Sequence, residues 1–323
     1  GHTVLVYERS NEEAAHGLAK ALLPLHAVWN RRAAREVSDL IRREGVEAVH
    51  IHNTLLLLSP AVVRAAKRCG VPVVQTLHNF RLFCPNGILL RDGAVCEDCP
   101  RRGLHCALQH RCYRGSLAQT LVVAASYRLH RALGSWRGVW VTTPTEFDRE
   151  KLLAFNRLRP TFDENRLVVK PNPVSVPAGP VIPWEERDRR FVFAGRLEEL
   201  KGLRTVIEAW RLLGDTAPEL LIAGDGPLAD WARAQALPRV RFLGQLERAE
   251  LHRLIGASYA VIAASLCYES FALVPAEAHA LGTPVLASGL GNVGASVQPG
   301  FDGLGSACKL LLIHSAHLPS FIH

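Results

Sequence analysis

Short apolar runs alternate along this chain with segments whose apolar positions recur at helical spacing. Residues 71–77 and 220–223 are runs of the first kind, and residues 33–43 have the helical pattern. Nearly continuous apolar runs are typical of parallel strands buried on both faces, and helices usually connect such strands. The pattern therefore predicts an α/β fold in which helices cover parallel sheets.

A Pro-rich segment interrupts this alternation near the middle of the chain. Residues 171–183 contain five prolines and show no periodicity, which is typical of a linker between domains. The chain has 323 residues, 48% of them hydrophobic, which suffices for two buried cores. We therefore predict two domains, residues 1–175 and 176–323.

Two glutamates follow the apolar run at residues 259–264. We predict a strand over that run and a helix that opens at Glu269 and contains Glu277. A rise of about 1.5 Å per residue would place the two carboxylates roughly 12 Å apart, at opposite ends of an extended ligand. The N–H groups at the helix start would suit a phosphate. The alternative to a ligand site is a surface helix with two solvated acids.

Two basic residues follow another predicted strand. Residues 191–194 are apolar, and Arg196 and Lys201 come just before a helical pattern that begins at Leu203. Ligands bind outside the carboxyl ends of strands in open α/β sheets, and both side chains suit a diphosphate. The alternative for each is an ordinary solvated charge.

These motifs, in this order, resemble those of the family-4 retaining glycosyltransferases. The resemblance implies the GT-B fold, in which two Rossmann-like domains face each other across a cleft. It makes residues 1–175 the acceptor-side domain and residues 176–323 the nucleotide-sugar-binding domain. The matching segments are Gly195-Arg196-Leu197, Lys201-Gly202, Gly224-Asp-Gly-Pro227, Phe242-Leu-Gly244 and the pair Glu269 and Glu277.

The resemblance also implies roles for individual residues at the donor site. Arg196 and Lys201 would hold the diphosphate and offset the charge that develops on the leaving group. Glu269 would contact hydroxyls of the donor sugar, and Glu277 would bind the ribose. The remaining donor contacts would come from the backbone, at Gly195, Gly244, Ser270, Phe271 and Ala272.

Histidines mark the carboxyl ends of two strands in the first half of the chain. His50 and His52 close one apolar run, and His78 follows the run at residues 71–77. We expect a structural hydrogen bond for His50 and consider His52 and His78 better candidates for function. Family members commonly have a His after the matching strand, so the resemblance places His78 near the donor sugar.

Five cysteines crowd into residues 84–112. The Cys96-Glu-Asp-Cys99 spacing lets one turn present two thiolates to a metal, which predicts a structural zinc site. Either Cys106 or His110 could replace one ligand, and the alternative is a set of buried or free thiols. The insertion also resembles that of some bacterial capsule and exopolysaccharide enzymes. The expected zinc ligands are Cys84, Cys96, Cys99 and Cys112.

Both ends of the chain depart from the family pattern. Residues 1–7 look like the second strand of the first domain, so we expect its first strand to be missing. Residues 305–323 do not match the helices that close the second domain in family members. The expectation is a chain truncated at both ends.

The net charge of +8 suggests a partner that carries negative charge. Its arginines have no interleaved aromatic residues, so we expect no nucleic-acid binding. No apolar run reaches the roughly 18 residues that span a bilayer, which favours a cytoplasmic protein. A basic face could rest on the anionic inner surface of the membrane, and residues 117–125 could lie in the interface or be buried.

The resemblance implies a retaining glycosyltransferase. It would transfer a sugar from a UDP- or GDP-sugar to a glycan or lipid-linked acceptor, in bacterial cell-surface polysaccharide synthesis. Catalysis would rest on positioning and charge stabilisation, without a cofactor for chemistry. The alternatives are a nucleotide-sugar epimerase of the same fold and an inactive nucleotide-binding fragment.

Overall fold

The computed structural model describes residues 1–10, 17–177, 179–298 and 303–306. The chain forms two units, of which the first comprises Gly1–Arg91 and Cys96–Pro171 and the second comprises Asp92–Val95 and Asn172–His323. The boundary in the Pro-rich segment therefore falls after Pro171, against the predicted boundary after residue 175.

The first unit contains a parallel four-stranded sheet, in which the strands lie in the spatial order Val49–Ile51, Val73–Thr76, Trp140–Thr143 and Leu167–Val169. A cluster that includes Ile41, Val63 and Val73 is buried in it. In chain order the strands are β1 Val49–Ile51, β2 Val73–Thr76, β3 Leu90–Arg91, β4 Ala94–Val95, β5 Trp140–Thr143 and β6 Leu167–Val169. Of these, β3 and β4 are short strands of the Cys-rich segment and do not belong to the four-stranded sheet. Its helices are α1 Gly17–Val28, α2 Arg31–Arg43, α3 Ala61–Arg68, α4 Asp98–Arg102, α5 His105–Gln109, α6 Leu117–Ala132 and α7 Glu146–Leu158.

The predicted strand at residues 1–7 is not present. The segment has no regular secondary structure, and Val4 and Val6 are 77% and 76% exposed. A strand needs a neighbour for its backbone N–H and C=O groups, and no strand of the described residues lies beside this segment. Side-chain bonds from Tyr7 and Arg9 to Glu36 hold the segment against α2 instead.

The second unit contains a parallel six-stranded sheet. Its strands are β7 Asp188–Ala194, β8 Glu219–Ala223, β9 Val240–Gly244, β10 Ser258–Ala263, β11 Val285–Ser288 and β12 Gly303–Ser306. They lie in the order β12-β11-β10-β7-β8-β9. Its helices are α8 Leu203–Leu213, α9 Ala229–Arg233, α10 Arg248–Gly256, α11 Leu273–Ala280 and α12 Gly291–Ala295. Short 3-10 turns lie at Glu164–Arg166 in the first unit and at Trp184–Glu186, Glu199–Lys201 and Gly214–Thr216 in the second.

Both faces of the second sheet are buried. Along β7, Phe191 and Phe193 pack into one apolar cluster, whereas Val192 between them packs into another. Successive side chains of a strand point to opposite faces, so helices must cover both sides. The sequence prediction of parallel sheets covered by helices is confirmed, and the helix predicted from Leu203 is α8, with Trp210 buried.

Of the predicted C-terminal departure, residues 305–323, the described part is residues 305–306. Residues 303–306 form β12, which pairs with β11. The rest of the predicted departure, residues 307–323, lies outside the described residues. Among the described helices, none combines the length and the apolar character that a membrane span requires.

Candidate functional site

Candidate residues of the second unit lie in loops that follow two adjacent parallel strands. β7 ends at Ala194 and β10 ends at Ala263, and the two strands pair directly. Carboxyl ends of parallel strands meet at one edge of the sheet, so the loops after them are neighbours. Their backbones are joined by a 2.9 Å hydrogen bond from Leu266 N–H to the Leu200 carbonyl.

Lys201 and Glu269 meet at this edge. The lysine Nζ lies 2.7 Å from Oε2 of the glutamate, and the Ser265 hydroxyl donates to Oε1 of the same carboxylate. The glutamate side chain is largely buried, at 13% exposure, and the lysine is 34% exposed. The carboxylate is thus held on both oxygens, while the ammonium remains accessible from solvent.

Glycines allow the loops to approach each other this closely. Gly202 has φ +73°, and a Cβ there would lie 2.0 Å from the Ala264 carbonyl oxygen. Gly224 has φ +132°, and a Cβ there would lie 1.9 Å from the carbonyl oxygen of Gly195. Only glycine fits at either position without moving backbone. The glycines of the sequence motifs therefore position the edge on which Lys201 lies.

Arg196 is oriented differently from Lys201. Its Nε lies 3.2 Å from Oε2 of Glu198, and its side chain is 67% exposed. An ion pair this exposed contributes little to stability, so an anionic ligand could compete for the guanidinium.

Gly195 and Gly244 lie at neighbouring strand ends. The N–H of Gly195 donates to the carbonyl of Ala223 at 3.0 Å, and the carbonyl of Gly244 accepts from Gly224 N–H at 2.6 Å.

Glu277 is buried and lies in α11. Its Oε1 is 3.1 Å from Arg248 Nη2 and 3.3 Å from His252 Nε2, and the carboxylate side chain is 8% exposed. The arginine bond is a hydrogen bond, whereas the histidine nitrogen is not aligned for one. Sequence reasoning did not identify Arg248 or His252, although their spacing of four residues places both on one face of α10.

The predicted start of the helix around these glutamates is wrong. α11 begins at Leu273 with Ala272 as its N-cap, so Glu269 lies in the preceding loop and the two glutamates are not on one helix. Ser270 and Phe271 also lie in the loop. A helix opening at Glu269 would place Pro275 beyond its first turn, where the missing N–H loses a helical bond.

The loop amides still lack partners. Within the described part of the chain, no residue accepts a hydrogen bond from the N–H groups of Ser270, Phe271 or Ala272. Backbone N–H groups that precede or begin a helix can bind an anion. These three amides lie in the same loop as Glu269, which is bound to Lys201.

His78 lies in the first unit, after β2. Its Nε2 is 2.9 Å from Nδ1 of His52, which follows β1. Partial burial, and secondly the nearby His52, lower the pKa of His78 below its usual value of 6.5. His50 Nε2 lies 2.7 Å from the Thr76 hydroxyl, the kind of structural contact expected for it.

The Cys-rich segment does not have the arrangement of a metal site. In the ranges that the structure describes, no group of three or more His, Cys, Asp or Glu side chains is arranged to hold a metal ion. Burial, and then the neighbouring thiols of Cys84, Cys112 and Cys106, raise the pKa of Cys99 to about 12. Cys99 and Cys106 instead pack with Ala107 in a small apolar cluster, as in the alternative of buried thiols. The structure therefore does not support the predicted zinc ligands Cys84, Cys96, Cys99 and Cys112.

Sequence comparison identifies the second unit. Residues 188–314 match the family model of the Glycosyl transferases group 1. Glycogen synthase of Mycobacterium tuberculosis is 39% identical over 124 residues, which are 36% of this chain and 30% of that protein. The chain therefore spans less than a third of that relative. A glycosyltransferase of Methanocaldococcus jannaschii is 23% identical over 326 residues, covering 94% of this chain and 74% of its own length.

Structural comparison agrees over most of the chain. A glycosyltransferase from Rickettsia africae superposes with a TM-score of 0.61 at 13% identity, covering 98% of this chain and 74% of that one. Anabaena HepE in complex with UDP superposes with a TM-score of 0.58 at 16% identity, covering 89% of this chain and 72% of that one. At these identities the likeness shows the fold alone. Residues 188–314 thus match the group 1 glycosyl transferases, and the chain has the GT-B fold.

Proposed function

We propose that this chain is a retaining glycosyltransferase that moves a sugar from a nucleoside diphosphate sugar to a glycan or lipid-linked acceptor. The observation that carries the proposal is the Lys201–Glu269 pair, 2.7 Å apart at the ends of adjacent strands. Beside it in the same loop are three backbone amides that have no partner among the described residues. A cation, a carboxylate and free amides together suit a sugar joined to a diphosphate.

Each group has a distinct role in this proposal. Lys201 and Arg196 bind the diphosphate and offset the negative charge that grows on it as the bond to the sugar breaks. Glu269, held by Ser265 and Lys201, accepts hydrogen bonds from sugar hydroxyls. Glu277 accepts hydrogen bonds from the ribose, and the loop amides at Ser270, Phe271 and Ala272 bind the distal phosphate. The family resemblance assigns His78 to the donor sugar.

Among nucleotides, UDP is the first choice. HepE of Anabaena, a structural neighbour with a TM-score of 0.54, is known in complex with UDP-glucose. GDP is the second choice.

The test is thermal unfolding of the chain with UDP, GDP and ADP. A ligand that binds the folded state raises the apparent stability, by about 2.7 kcal/mol at a hundredfold excess over the dissociation constant. We expect UDP to raise the unfolding temperature of the parent chain but not that of Glu277→Ala. The control is Glu250→Ala, which replaces an acid on the same helix as Arg248 and should respond to UDP like the parent chain. A folded protein that responds to none of the three nucleotides would overturn the proposal and favour an inactive fragment.

The competing enzyme is a nucleotide-sugar epimerase. It would bind the same diphosphate but convert the donor without an acceptor. Incubation of UDP-sugars with the chain, alone and with glycan or lipid-linked acceptors, separates the two. Release of UDP only when an acceptor is present supports transfer, whereas an isomerised donor sugar in the absence of an acceptor supports epimerisation.

The acceptor side of the proposal includes an anionic membrane surface, such as the inner face of a bacterial membrane. α6 exposes Leu117, Leu121 and Leu129 along one face, and Arg114 and Arg128 beside them are also exposed. The sequence contains no Asp or Glu between Asp98 and Glu146. Exposed leucines with a basic border suit a helix that lies in the interface of anionic lipids.

Co-flotation with lipid vesicles tests this surface. We expect the chain to float with vesicles containing phosphatidylglycerol and not with pure phosphatidylcholine. Leu121→Glu should abolish flotation, while Leu212→Glu, at an exposed leucine of α8, should not. Unchanged flotation of Leu121→Glu would show that α6 is not the contact, without affecting the donor site.

A further inference from the structure

Three histidine rings form one cluster at the carboxyl ends of β1 and β2. The rings of His50 and His52 have centroids 4.3 Å apart, and those of His52 and His78 stack with centroids 5.2 Å apart. His52 is therefore the central ring. Of the two outer rings, His50 is anchored to the sheet and His78 is the one that the proposed function uses.

The anchor is a pair of buried hydroxyls on the strands β2 and β5. His50 Nε2 lies 2.7 Å from Thr76 Oγ1, which lies 2.7 Å from Thr142 Oγ1. Thr76 and Thr142 are buried on the neighbouring strands β2 and β5. A ring fixed in this way restricts the ring that packs on it, so His50 limits the positions open to His52.

The contact between His52 and His78 fixes more than position. Its two nitrogens, Nδ1 of His52 and Nε2 of His78, lie 2.9 Å apart, so one must carry a proton and the other must accept it. Two imidazolium rings cannot make this bond, because neither would have an acceptor. The contact therefore couples the tautomers of the two rings and disfavours a second charge.

The surrounding charges act in the same direction. Partial burial and the charge of His52 lower the pKa of His78, and burial, His52, Lys170 and His78 lower that of His50. In the described residues, no carboxylate is among the groups that act on these two rings. A neighbouring carboxylate would favour imidazolium, whereas these neighbours favour the neutral ring.

We propose that His52 is a positioning residue for His78: through its Nδ1 it selects the tautomer of His78 and keeps that ring uncharged, leaving Nδ1 of His78 for the substrate. This inference rests on the proposed function only for the use made of His78. The tautomer and charge of His78 are properties of the free chain and can be measured without any substrate.

Long-range proton–nitrogen NMR of the 15N-histidine-labelled chain is the direct test. Two variants of His52 separate the hydrogen bond from the charge. His52→Asn places an amide near the position of Nδ1 but cannot titrate, whereas His52→Phe keeps the stacked ring but has no nitrogen. His78→Gln assigns the signals, and His110→Phe, at an exposed histidine of the same unit, is the matched control.

We expect one dominant tautomer of His78 in the parent chain and a mixture in His52→Phe, which has no nitrogen to bond. The pKa of His78 should rise toward 6.5 in His52→Asn, because the neighbouring cation is gone. An unchanged tautomer in His52→Phe, or an unchanged pKa in His52→Asn, would overturn the inference.

Transfer assays then separate this inference from the proposed function. The acid limb of the kcat/KM profile should move to higher pH in His52→Asn, and His52→Phe should lose activity that His52→Asn retains. If the NMR changes appear but neither His52→Phe nor His78→Gln alters transfer, His52 positions His78 as inferred and the catalytic use of His78 is wrong.

Discussion

The ammonium of Lys201 lies 2.7 Å from the Glu269 carboxylate, across two loops that follow the adjacent strands β7 and β10. Without ligand the two charges offset each other in a partly buried position. In the proposed function the lysine would interact with the donor diphosphate while Ser265 still holds the other carboxylate oxygen. The pair would then keep both side chains in position for opposite parts of one donor.

Replacing Lys201 should affect chemistry more than binding. In Lys201→Ala we expect kcat to fall by roughly a hundredfold to a thousandfold, the usual effect of losing one group that stabilises transition-state charge. Lys201→Arg should recover only part of this, because a planar guanidinium does not replace a point charge. Steady-state kinetics with saturating UDP-sugar measure the change.

The control for this prediction is Arg211→Ala, which removes a positive charge from the outer surface of α8. Its kcat should remain at the parent level. A Lys201→Ala enzyme with normal kcat and a raised KM would show that the lysine contributes only to donor binding.

Two glycines with similar backbone angles should differ in their tolerance of a methyl group. Gly202 has φ +73° and Gly244 has φ +69°, but only at Gly202 would a Cβ collide with backbone, 2.0 Å from the Ala264 carbonyl oxygen. Gly244→Ala meets nothing within 4 Å and should cost only the left-handed conformation, about 1–2 kcal/mol. Gly202→Ala should cost clearly more, about 3 kcal/mol or above.

Urea unfolding of both variants measures the difference in the free energy of unfolding. Equal losses would mean that the loops carrying Lys201 and Glu269 separate easily. In that case the close approach of Gly202 to Ala264 would not be what holds the site together.

The sheets were predictable because their signal is local. The apolar run at residues 259–264 became β10, and the run at 191–194 became the end of β7. The apolar runs also predict that Glu269 follows the carboxyl end of one strand and that Arg196 and Lys201 follow that of another. Hydrophobic periodicity and the order of strands in a parallel fold suffice for this much.

The details of the site depended on contacts that sequence does not encode locally. The start of α11 at Leu273 was missed because Ala272 has no capping side chain to mark it. Ser265 and Arg248 were missed because their bonds to Glu269 and Glu277 come from tertiary packing. The zinc prediction erred in the opposite way, because a suitable Cys spacing is not accompanied, among the described residues, by a group of side chains arranged to hold a metal ion.

Arg248 should support Glu277 without contacting the nucleotide. Its side chain is 58% exposed while the glutamate is buried, so the pair resembles a surface bond in strength, at most about 1 kcal/mol. We expect Arg248→Ala to weaken UDP binding by up to about fivefold and Glu277→Gln to weaken it by tenfold or more. Calorimetric titration with UDP compares them, and equal losses would instead indicate that Arg248 binds the nucleotide itself.

Acid should destabilise the first unit through His130, a fully buried histidine of α6. Its Nδ1 lies 2.9 Å from the Ser135 hydroxyl, and its Nε2 lies 3.0 Å from the Val28 carbonyl at the end of α1. Burial lowers its pKa from 6.5 to about 4. The unfolded chain therefore binds a proton between these values that the folded chain does not.

Stability from this group is complete above pH 6.5 and is lost as the pH falls toward 4, by on the order of 3 kcal/mol in all. Hydrogen exchange of α6 peptides should accelerate over this window beyond the change in intrinsic rate. His130→Gln, whose amide can still donate to Val28, should be less stable at neutral pH but lose less on acidification, whereas His110→Gln at the surface should follow the parent chain. An identical acid response in His130→Gln would assign the loss of stability to other groups. If the buried ring of His130 causes the loss, the dependence of stability on pH must become weaker when the ring is removed.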